Sequence, residues 1–185
     1  VGLAFQPHNT RQLEAFLAQA EGPLRGLRDD TGESANLGVL EGPMVVHSLV
    51  FESSKMMRLA ARVGDRAPIH STALGKAMAA ELPEERVLEM LKAVEMTPFT
   101  DHTITTPDDY LAALVAVRQQ GYAVDELENQ ADGRCIAMAL QGMPFLCGIS
   151  VSAPADRLTV DKVPAVVKQL RSVGLQLVRD FLSEN

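Results

Sequence analysis

The chain has 185 residues, of which 46% are hydrophobic and 22% are charged, and its net charge at pH 7 is −7. This length fits a single domain with one hydrophobic core, and no apolar stretch approaches the roughly 18 residues that a membrane-spanning helix needs. No basic cluster offers a surface for nucleic-acid phosphates. The composition therefore argues against a membrane protein and against tight DNA binding by this chain itself.

The first residues and the cysteines indicate the cellular compartment of the protein. Residues 1–5 lack the charged leader and apolar stretch of a secretory signal, and the chain begins at Val1 rather than at a methionine. We therefore expect a processed or truncated chain, with a segment missing upstream. The two cysteines, Cys135 and Cys147, are too few for a disulfide framework and match a reducing cytoplasm.

The first elements predicted from the sequence are helical. Six apolar residues recur at helical spacing: Leu13, Phe16, Leu17, Ala20, Leu24 and Leu27. The Gly22-Pro23 pair interrupts this run, and proline suits the first turn of a helix rather than its interior. We therefore predict two helices, over residues 10–21 with Asn9 or Thr10 as the N-cap, and over residues 23–30.

Strands follow the predicted helices. Apolar residues alternate over 34–40, a Glu41-Gly42-Pro43 turn comes next, and residues 44–51 are rich in β-branched side chains, which together predict a hairpin. A further apolar stretch over residues 56–63 ends at Gly64-Asp65 and predicts a third strand.

Thr, Pro and Gly residues mark the helices of the second half. Ser71 or Thr72 caps a helix that ends near Ala80, Pro83 lies in the first turn of the next helix, and a third helix runs from Thr106-Pro107 to Gly121. An apolar repeat predicts a final helix over residues 162–182, with Pro164 in its first turn. Three strands are predicted between these last two helices, over 122–127, 134–140 and 145–152.

Strands paired by short turns, with helices before, between and after them, indicate an α+β fold built on a mostly antiparallel sheet. Residues 34–52 and 133–152 are each predicted to form a hairpin. Cys135 and Cys147 lie on the two strands of the second hairpin, so we expect them to sit close together. A disulfide between them is geometrically possible but disfavoured in a cytoplasm.

The segment from Pro68 to Ala77 resembles the signature of the effector-binding domains of IclR-type bacterial transcription regulators. Further motifs follow the family's order within residues 10–182: Thr31-Gly32-Glu33 with Asn36-Leu37, Phe99-Thr100 to Thr105, Gly121 to Asp125, Gly133 to Ala137, and Ile149 to Pro154. The resemblance implies a GAF-like domain, in which a curved antiparallel sheet flanked by helices closes over a small-molecule pocket. We expect residues 22–185 to form this domain and residues 1–21 to form a linker or dimer helix.

The resemblance also implies partners. In the family, a winged helix-turn-helix domain precedes the effector domain, and dimers or tetramers place such domains on an operator. We therefore expect a homodimer or homotetramer that contacts DNA only through a domain absent from this chain.

The resemblance points to a helix start as an anion site. Ala73 and Leu74 match positions whose backbone N–H groups face an acidic effector, and a helix N-terminus carries unpaired donors and partial positive charge. The alternative is that Ser71 or Thr72 only caps this helix.

Two more positions match the family's pocket. Asp125 would face the effector, and its pKa would rise if it were desolvated; the alternative is a solvated Asp at a strand end. Cys135 would offer a small, weakly polar surface, and the alternative is an ordinary buried cysteine. Arg134 precedes Cys135 on the same strand and therefore points to the opposite face.

Ser150 and Ser152 are two residues apart on a strand, so both hydroxyls project to one face and can reach one ligand. The alternative is a solvent-facing pair on an edge strand. Met56 and Leu59 match positions in the apolar wall of the family's pocket, and the alternative for them is ordinary core packing. None of the matched positions is Lys or Arg, which favours a small polar acid held by backbone donors and hydroxyls.

No constellation predicts catalysis, a metal site or a cofactor. The histidines are scattered without ligand spacing: His8, His47, His70 and His102. The two His-Ser pairs lack the Gly-x-Ser-x-Gly pattern of a nucleophile elbow. Gly75-Lys76 lacks the glycine spacing of a phosphate loop, so Lys76 is interpreted as a surface or helix-packing residue.

The resulting hypothesis is a cytoplasmic sensor, not an enzyme, in which a small organic acid shifts the oligomeric geometry that positions DNA-binding domains. Such a switch requires different affinities of the effector for two states. Two alternatives remain open: a dimerisation module that needs no polar pocket, and a GAF-like enzyme that needs a competent nucleophile or redox pair.

Overall fold

The structure, a computed structural model, describes residues 7–184. Within them, five α-helices and six strands follow one another along the chain. Their bounds are α1 Pro7–Thr31, β1 Ser34–Glu41, β2 Met44–Phe51, β3 Arg66–Pro68, α2 Ala73–Ala79, α3 Glu84–Lys92, α4 Pro107–Gln120, β4 Ala123–Glu126, β5 Gly133–Ala139, β6 Cys147–Pro154 and α5 Val163–Glu184. Single 3-10 turns precede α2 and α5.

The six strands form one curved sheet in the order β3-β2-β1-β6-β5-β4. Every neighbouring pair is antiparallel, and the two predicted hairpins are the pairs β1/β2 and β5/β6. The predicted α+β class, with a curved antiparallel sheet flanked by helices, is therefore confirmed.

The sequence predicts one hydrophobic core, but the structure has two core layers, because helices cover both faces of the sheet. Long helices α1 and α5 pack on one face through buried residues that include Phe16, Leu24, Leu170 and Phe181. Helices α2, α3 and α4 cover the other face. Since side chains alternate along a strand, each central strand contributes to both layers.

One feature of the first helix differs from the prediction. Helix α1 continues from Pro7 to Thr31 with Pro23 inside it, and it already contains Asn9 and Thr10, so the predicted break and N-cap are both wrong. The residue before a proline normally clashes with the proline ring through its own Cβ, but Gly22 has none. Leu24 and Leu27 continue the buried stripe of α1 beyond the proline, so packing favours an unbroken helix.

The third strand is not where the sequence predicts it. Residues 52–65 contain no strand, and β3 covers only Arg66–Pro68, paired with residues 44–46 of β2. Met56, Met57 and Val63 are mostly exposed, so no second layer covers these three apolar side chains as it would on a strand of the sheet. Pro68 cannot donate to a ladder, which suits the edge position of β3.

The other helix boundaries follow their capping residues. The hydroxyl of Thr72 caps α2 by accepting from Gly75 N at 3.1 Å, and the hydroxyl of Thr106 caps α4 by accepting from Asp109 N at 3.2 Å. Gly121 ends α4 in the left-handed conformation, with φ of 78°. Pro83 is the N-cap of α3 rather than a residue of its first turn. The predicted final helix is α5, with Pro164 in its first turn.

Replacing Pro23 with alanine tests the continuity of α1. Because a proline inside a helix costs roughly 3 kcal/mol relative to alanine, we expect Pro23→Ala to raise the free energy of unfolding by about 1–3 kcal/mol. Thermal and urea unfolding measure this change. Pro107→Ala is the matched control, because Pro107 lies in the first turn of α4, where no hydrogen bond is lost. Equal effects of the two substitutions would contradict an unbroken helix.

Candidate ligand-binding site

A small cavity of about 90 Å³ lies between the start of α2 and one face of the sheet. Seven of the eight residues predicted from the sequence line it: Leu59, Ala73, Leu74, Asp125, Cys135, Ser150 and Ser152. The remaining lining comes from Asn36, Val45, His47, Ala60, Ala61, Thr72, Asn129, Gln130 and Gly133. Among these described residues there is no Lys or Arg.

Strand register explains why residues so far apart in sequence meet here. Asp125 of β4 stands opposite Cys135 of β5, which in turn stands opposite Ser152 of β6. On the other side of β6, Ser150 stands opposite Asn36 of β1. Opposed residues in a sheet share a face, so all five side chains project toward α2.

Met56 is the predicted site residue that the structure does not bring to the cavity. Its side chain is 93% exposed, on the segment between β2 and β3. The family resemblance places Met56 in the apolar wall of the pocket, whereas the structure leaves its side chain exposed. Leu59, Ala60 and Ala61 of the same segment supply the apolar wall instead.

The start of α2 offers backbone donors to the cavity. Thr72 accepts from Gly75 N through its hydroxyl and from Lys76 N through its carbonyl oxygen. The N–H groups of Ala73 and Leu74, the first two residues of α2, have no acceptor within the helix. Thr72 therefore acts as a cap, as one alternative predicted, and the two residues that follow it, which carry these N–H groups, line the cavity.

The two serines are buried on an interior strand rather than exposed at an edge. Ser150 is fully buried and Ser152 nearly so, because β6 lies between β1 and β5. The side chain of Asn36 joins them, since its Nδ2 donates to Ser150 Oγ at 3.4 Å and to Ser152 Oγ at 3.3 Å. Three polar side chains thus form one connected group on the cavity floor.

Asp125 is only 6% exposed, so the alternative of a solvated carboxylate is wrong. Burial raises its pKa to about 7, while hydrogen bonds from the backbone N–H groups of Glu128 and Asn129 to its Oδ1, at 2.7 and 3.2 Å, act in the opposite direction. The negative charge of Glu128 adds to the upward shift. Asp125 therefore changes charge near neutral pH and also shapes the loop after β4.

That loop is tied to α2 by a buried ion pair. Lys76, in α2, donates to Glu128 Oε1 at 2.6 Å and to the carbonyl oxygen of Val124. Leu127 adopts a positive φ of 61°, which L-residues rarely do. Lys76 is therefore a buried anchor of the loop that carries Asn129 to the cavity, and the interpretation of Lys76 as a surface residue is wrong.

The thiol of Cys135 is protonated at neutral pH. Burial, with the charge of Asp125 as a second cause, raises its pKa to about 12, so the thiol stays protonated. Cys147 packs in the layer on the other face of the sheet, and both cysteines are free. The expectation that they sit close together is therefore wrong, since Cys135 stands opposite Ser152 and not Cys147.

The sequence prediction missed several polar residues of the cavity: Asn36, His47, Asn129 and Gln130. Asn36 stands between the apolar residues Ala35 and Leu37, so an alternating strand placed it on the less apolar face, but this signal alone does not distinguish a pocket from solvent. Burial lowers the pKa of His47, which favours a neutral imidazole. Arg134 lies on the opposite face, as predicted, and forms an ion pair with Glu126.

Other parts of the described chain offer weaker candidates. A larger groove of about 450 Å³ lies between α4 and α5, but its two arginines, Arg118 and Arg171, already donate to main-chain carbonyl oxygens. Within residues 7–184, no three His, Cys, Asp or Glu side chains are grouped closely enough to hold a metal ion. No helix in that range is long and apolar enough to span a membrane.

Comparison with known proteins gives a consistent result. Residues 12–179 match the family described as Bacterial transcriptional regulator IclR C-terminal. The HTH-type transcriptional regulator XynR of Escherichia coli K12 is 31% identical over 163 residues, which are 87% of this chain and 65% of XynR. KdgR of Dickeya chrysanthemi, also an HTH-type transcriptional regulator, is 34% identical over 161 residues, 86% of this chain and 53% of KdgR. The chain thus spans less than two thirds of these relatives' length.

Solved structures show the same fold. The C-terminal domain of E. coli KdgR superposes with a TM-score of 0.81 at 28% identity, covering 90% of this chain and 98% of that one. The inducer-binding domain of the transcription factor PobR from Acinetobacter, solved as a double mutant in complex with 3-hydroxybenzoic acid, gives a TM-score of 0.79 at 24% identity. That alignment covers 87% of this chain and 96% of the PobR domain.

The raised pKa of Asp125 predicts a pH dependence of stability. Between about pH 4 and about pH 7 the folded protein keeps the Asp125 proton while the unfolded chain has lost it, so stability falls as the pH rises across this range. We expect Asp125→Asn to lose less stability across it, since an amide oxygen still accepts from Glu128 N and Asn129 N. Urea unfolding at the two pH values measures this, with exposed Asp101→Asn as the control. Equal losses in all three proteins would contradict the assignment.

Proposed function

The chain belongs to the IclR family of bacterial transcriptional regulators, and we propose that it is the ligand-sensing domain of such a regulator, with a small organic acid as its effector. The observation that carries the proposal is the cavity, where amide, hydroxyl, thiol and carboxyl groups of four strands face the start of α2. A packed core between a helix and a sheet is normally filled with apolar side chains, because buried polar groups are costly.

The carboxylate of the acid would bind at the start of α2. The N–H groups of Ala73 and Leu74 donate to it, and the hydroxyls of Ser150 and Ser152 donate from the opposite wall. Helix α2 has only seven residues, so its dipole is a small contribution and the converging donors carry most of the binding.

The size and charge of the cavity restrict the effector. A space of about 90 Å³ suits a molecule of a few heavy atoms. Because no Lys or Arg among residues 7–184 lines the cavity, a single negative charge is better accommodated than two. Asp125 is neutral below about pH 7, so its side chain does not repel an anion there. Affinity for acids should fall as the pH rises through this value, because Asp125 then becomes negatively charged.

The whole regulator would contact DNA and assemble from several subunits. XynR and KdgR are HTH-type regulators longer than this chain, so DNA would be contacted by a domain outside it. The regulator would act in the cytoplasm as a homodimer or homotetramer. The acid would change operator binding by favouring one arrangement of the subunits over another.

The two alternatives have less support. A GAF-like enzyme using Cys135 would need a thiolate, and burial keeps this thiol protonated at neutral pH. A dimerisation module without a ligand would leave unexplained why Asn36, Asp125 and both serines are buried around one cavity.

Calorimetric titration of the chain with a panel of small carboxylic, hydroxy and oxo acids tests the sensor function. We expect saturable binding of at least one acid by the native chain. In Ser150→Ala/Ser152→Ala, loss of two hydrogen bonds at roughly 0.5–1.5 kcal/mol each should weaken that binding by about fivefold or more.

The double variant Ser54→Ala/Ser183→Ala is the matched control, because both of its serines lie on the exposed surface. It should bind the acid as the native chain does. Binding that is equal in all three proteins would exclude the serine wall, and no binding of any acid to the native chain would contradict the sensor function.

A further inference from the structure

Asn36 is the most deeply buried amide side chain of the cavity. Only 2% of the residue is exposed, and it lies on β1 opposite Ser150. Its Nδ2 is shared between the two serine hydroxyls, at 3.4 and 3.3 Å. These bonds hold the amide group in place on the cavity wall.

The other polar atom of the same amide is unsatisfied. Asn36 Oδ1 is buried and accepts no hydrogen bond from any described residue. A buried acceptor without a donor costs about 1–3 kcal/mol, and most buried polar groups in proteins avoid this cost. A cavity occupant that donates a hydrogen bond would remove it.

The two serines, unlike Asn36 Oδ1, offer hydrogen-bond donors to a ligand. Each hydroxyl has one proton, and when its oxygen accepts from Asn36 Nδ2 that proton remains available for another acceptor. Ser150 also forms a hydrogen bond with the Cys135 thiol. A ligand that satisfies these groups therefore needs a hydrogen-bond acceptor near the serines and α2, and a hydrogen-bond donor near Asn36.

Resting on the proposed function, we infer that the effector is a small hydroxy acid and that Asn36 selects for its hydroxyl group. The carboxylate accepts from the serines and the start of α2, while the hydroxyl pairs with Asn36. A hydroxyl both donates and accepts, so it satisfies Asn36 in either orientation of the amide group. A plain carboxylic acid has no donor for this position.

The position of His47 in the cavity favours a polar rather than an apolar group on the ligand. It lines the same cavity from β2, and its buried Nδ1 has no partner among the described residues. An amino acid would also bring donors, but its ammonium group has three protons to satisfy and a large desolvation cost. These considerations favour the neutral hydroxyl.

Matched acids that differ only in one group test the inference on the native chain. The pairs are glycolate with acetate and lactate with propanoate, and alanine replaces the hydroxyl of lactate with an ammonium group. We expect each hydroxy acid to bind at least about tenfold more tightly than its partner, the ratio given by one hydrogen bond of about 1.4 kcal/mol. Calorimetric dissociation constants measure these ratios.

Asn36→Leu then assigns the preference to its residue. Leucine has a similar size but no polar group, so the hydroxy-to-plain ratio should fall close to one, while acetate and propanoate still bind. Circular dichroism melting confirms that the variant is folded. If it does not fold, the ratios on the native chain still decide whether the hydroxyl is recognised.

The possible results separate the hydroxy-acid inference, the role of Asn36 and the sensor function. Equal binding within the pairs, or tighter binding of alanine, would overturn the hydroxy-acid inference and leave the sensor function intact. A ratio that persists in folded Asn36→Leu would overturn the role of Asn36. If none of the five probes binds while another acid of the wider panel does, the inference fails alone; if no acid binds, the proposed function fails with it.

Discussion

Leu74 packs against two glycines, and this contact sets how closely α2 approaches the sheet. Gly38 of β1 and Gly148 of β6 stand opposite each other, and a Cβ on either would lie only 3.0 or 3.2 Å from Leu74. A side chain at either position would crowd Leu74, and it would also meet Val45 Cγ1 or the carbonyl oxygen of Met138, at 2.8 and 2.7 Å. Because the helix start is held close to the sheet, Ala73 and Leu74 line the same cavity as the polar residues of β1 and β6, and that cavity stays small.

The cavity is built from neutral groups at the point where a carboxylate would bind. The carboxyl of Asp125, which lines it, keeps its proton up to about pH 7 because it is buried. Lys76 is nearby, but Glu128 neutralises its charge in a buried ion pair. If an acid binds here as proposed, its affinity would depend on the geometry of hydroxyl, amide and N–H donors, which favours discrimination between similar small acids over strong, unselective attraction to anions.

The sequence predicted what depends on local chemistry and failed where tertiary packing decides. Thr72, Thr106 and Gly121 mark helix ends through their own side chain or backbone, so α2 and α4 were predicted closely. Pro23 was misjudged because the buried stripe of α1 outweighs a local penalty, and Met56 because a match to a family position does not reveal that its side chain is exposed. Asn36 was missed because only the strand register reveals which residues it faces.

The central claim is that a small acid binds between the start of α2 and the polar face of the sheet. Amide chemical shifts of the ¹⁵N-labelled chain, followed during titration with the acid that binds most tightly, test it directly. Because a hydrogen bond to a carboxylate deshields an amide proton, the Ala73 and Leu74 signals should move downfield and saturate with the dissociation constant found by calorimetry. Saturable shifts confined to the groove around Arg118 and Arg171, with Ala73 and Leu74 unchanged, would contradict the claim.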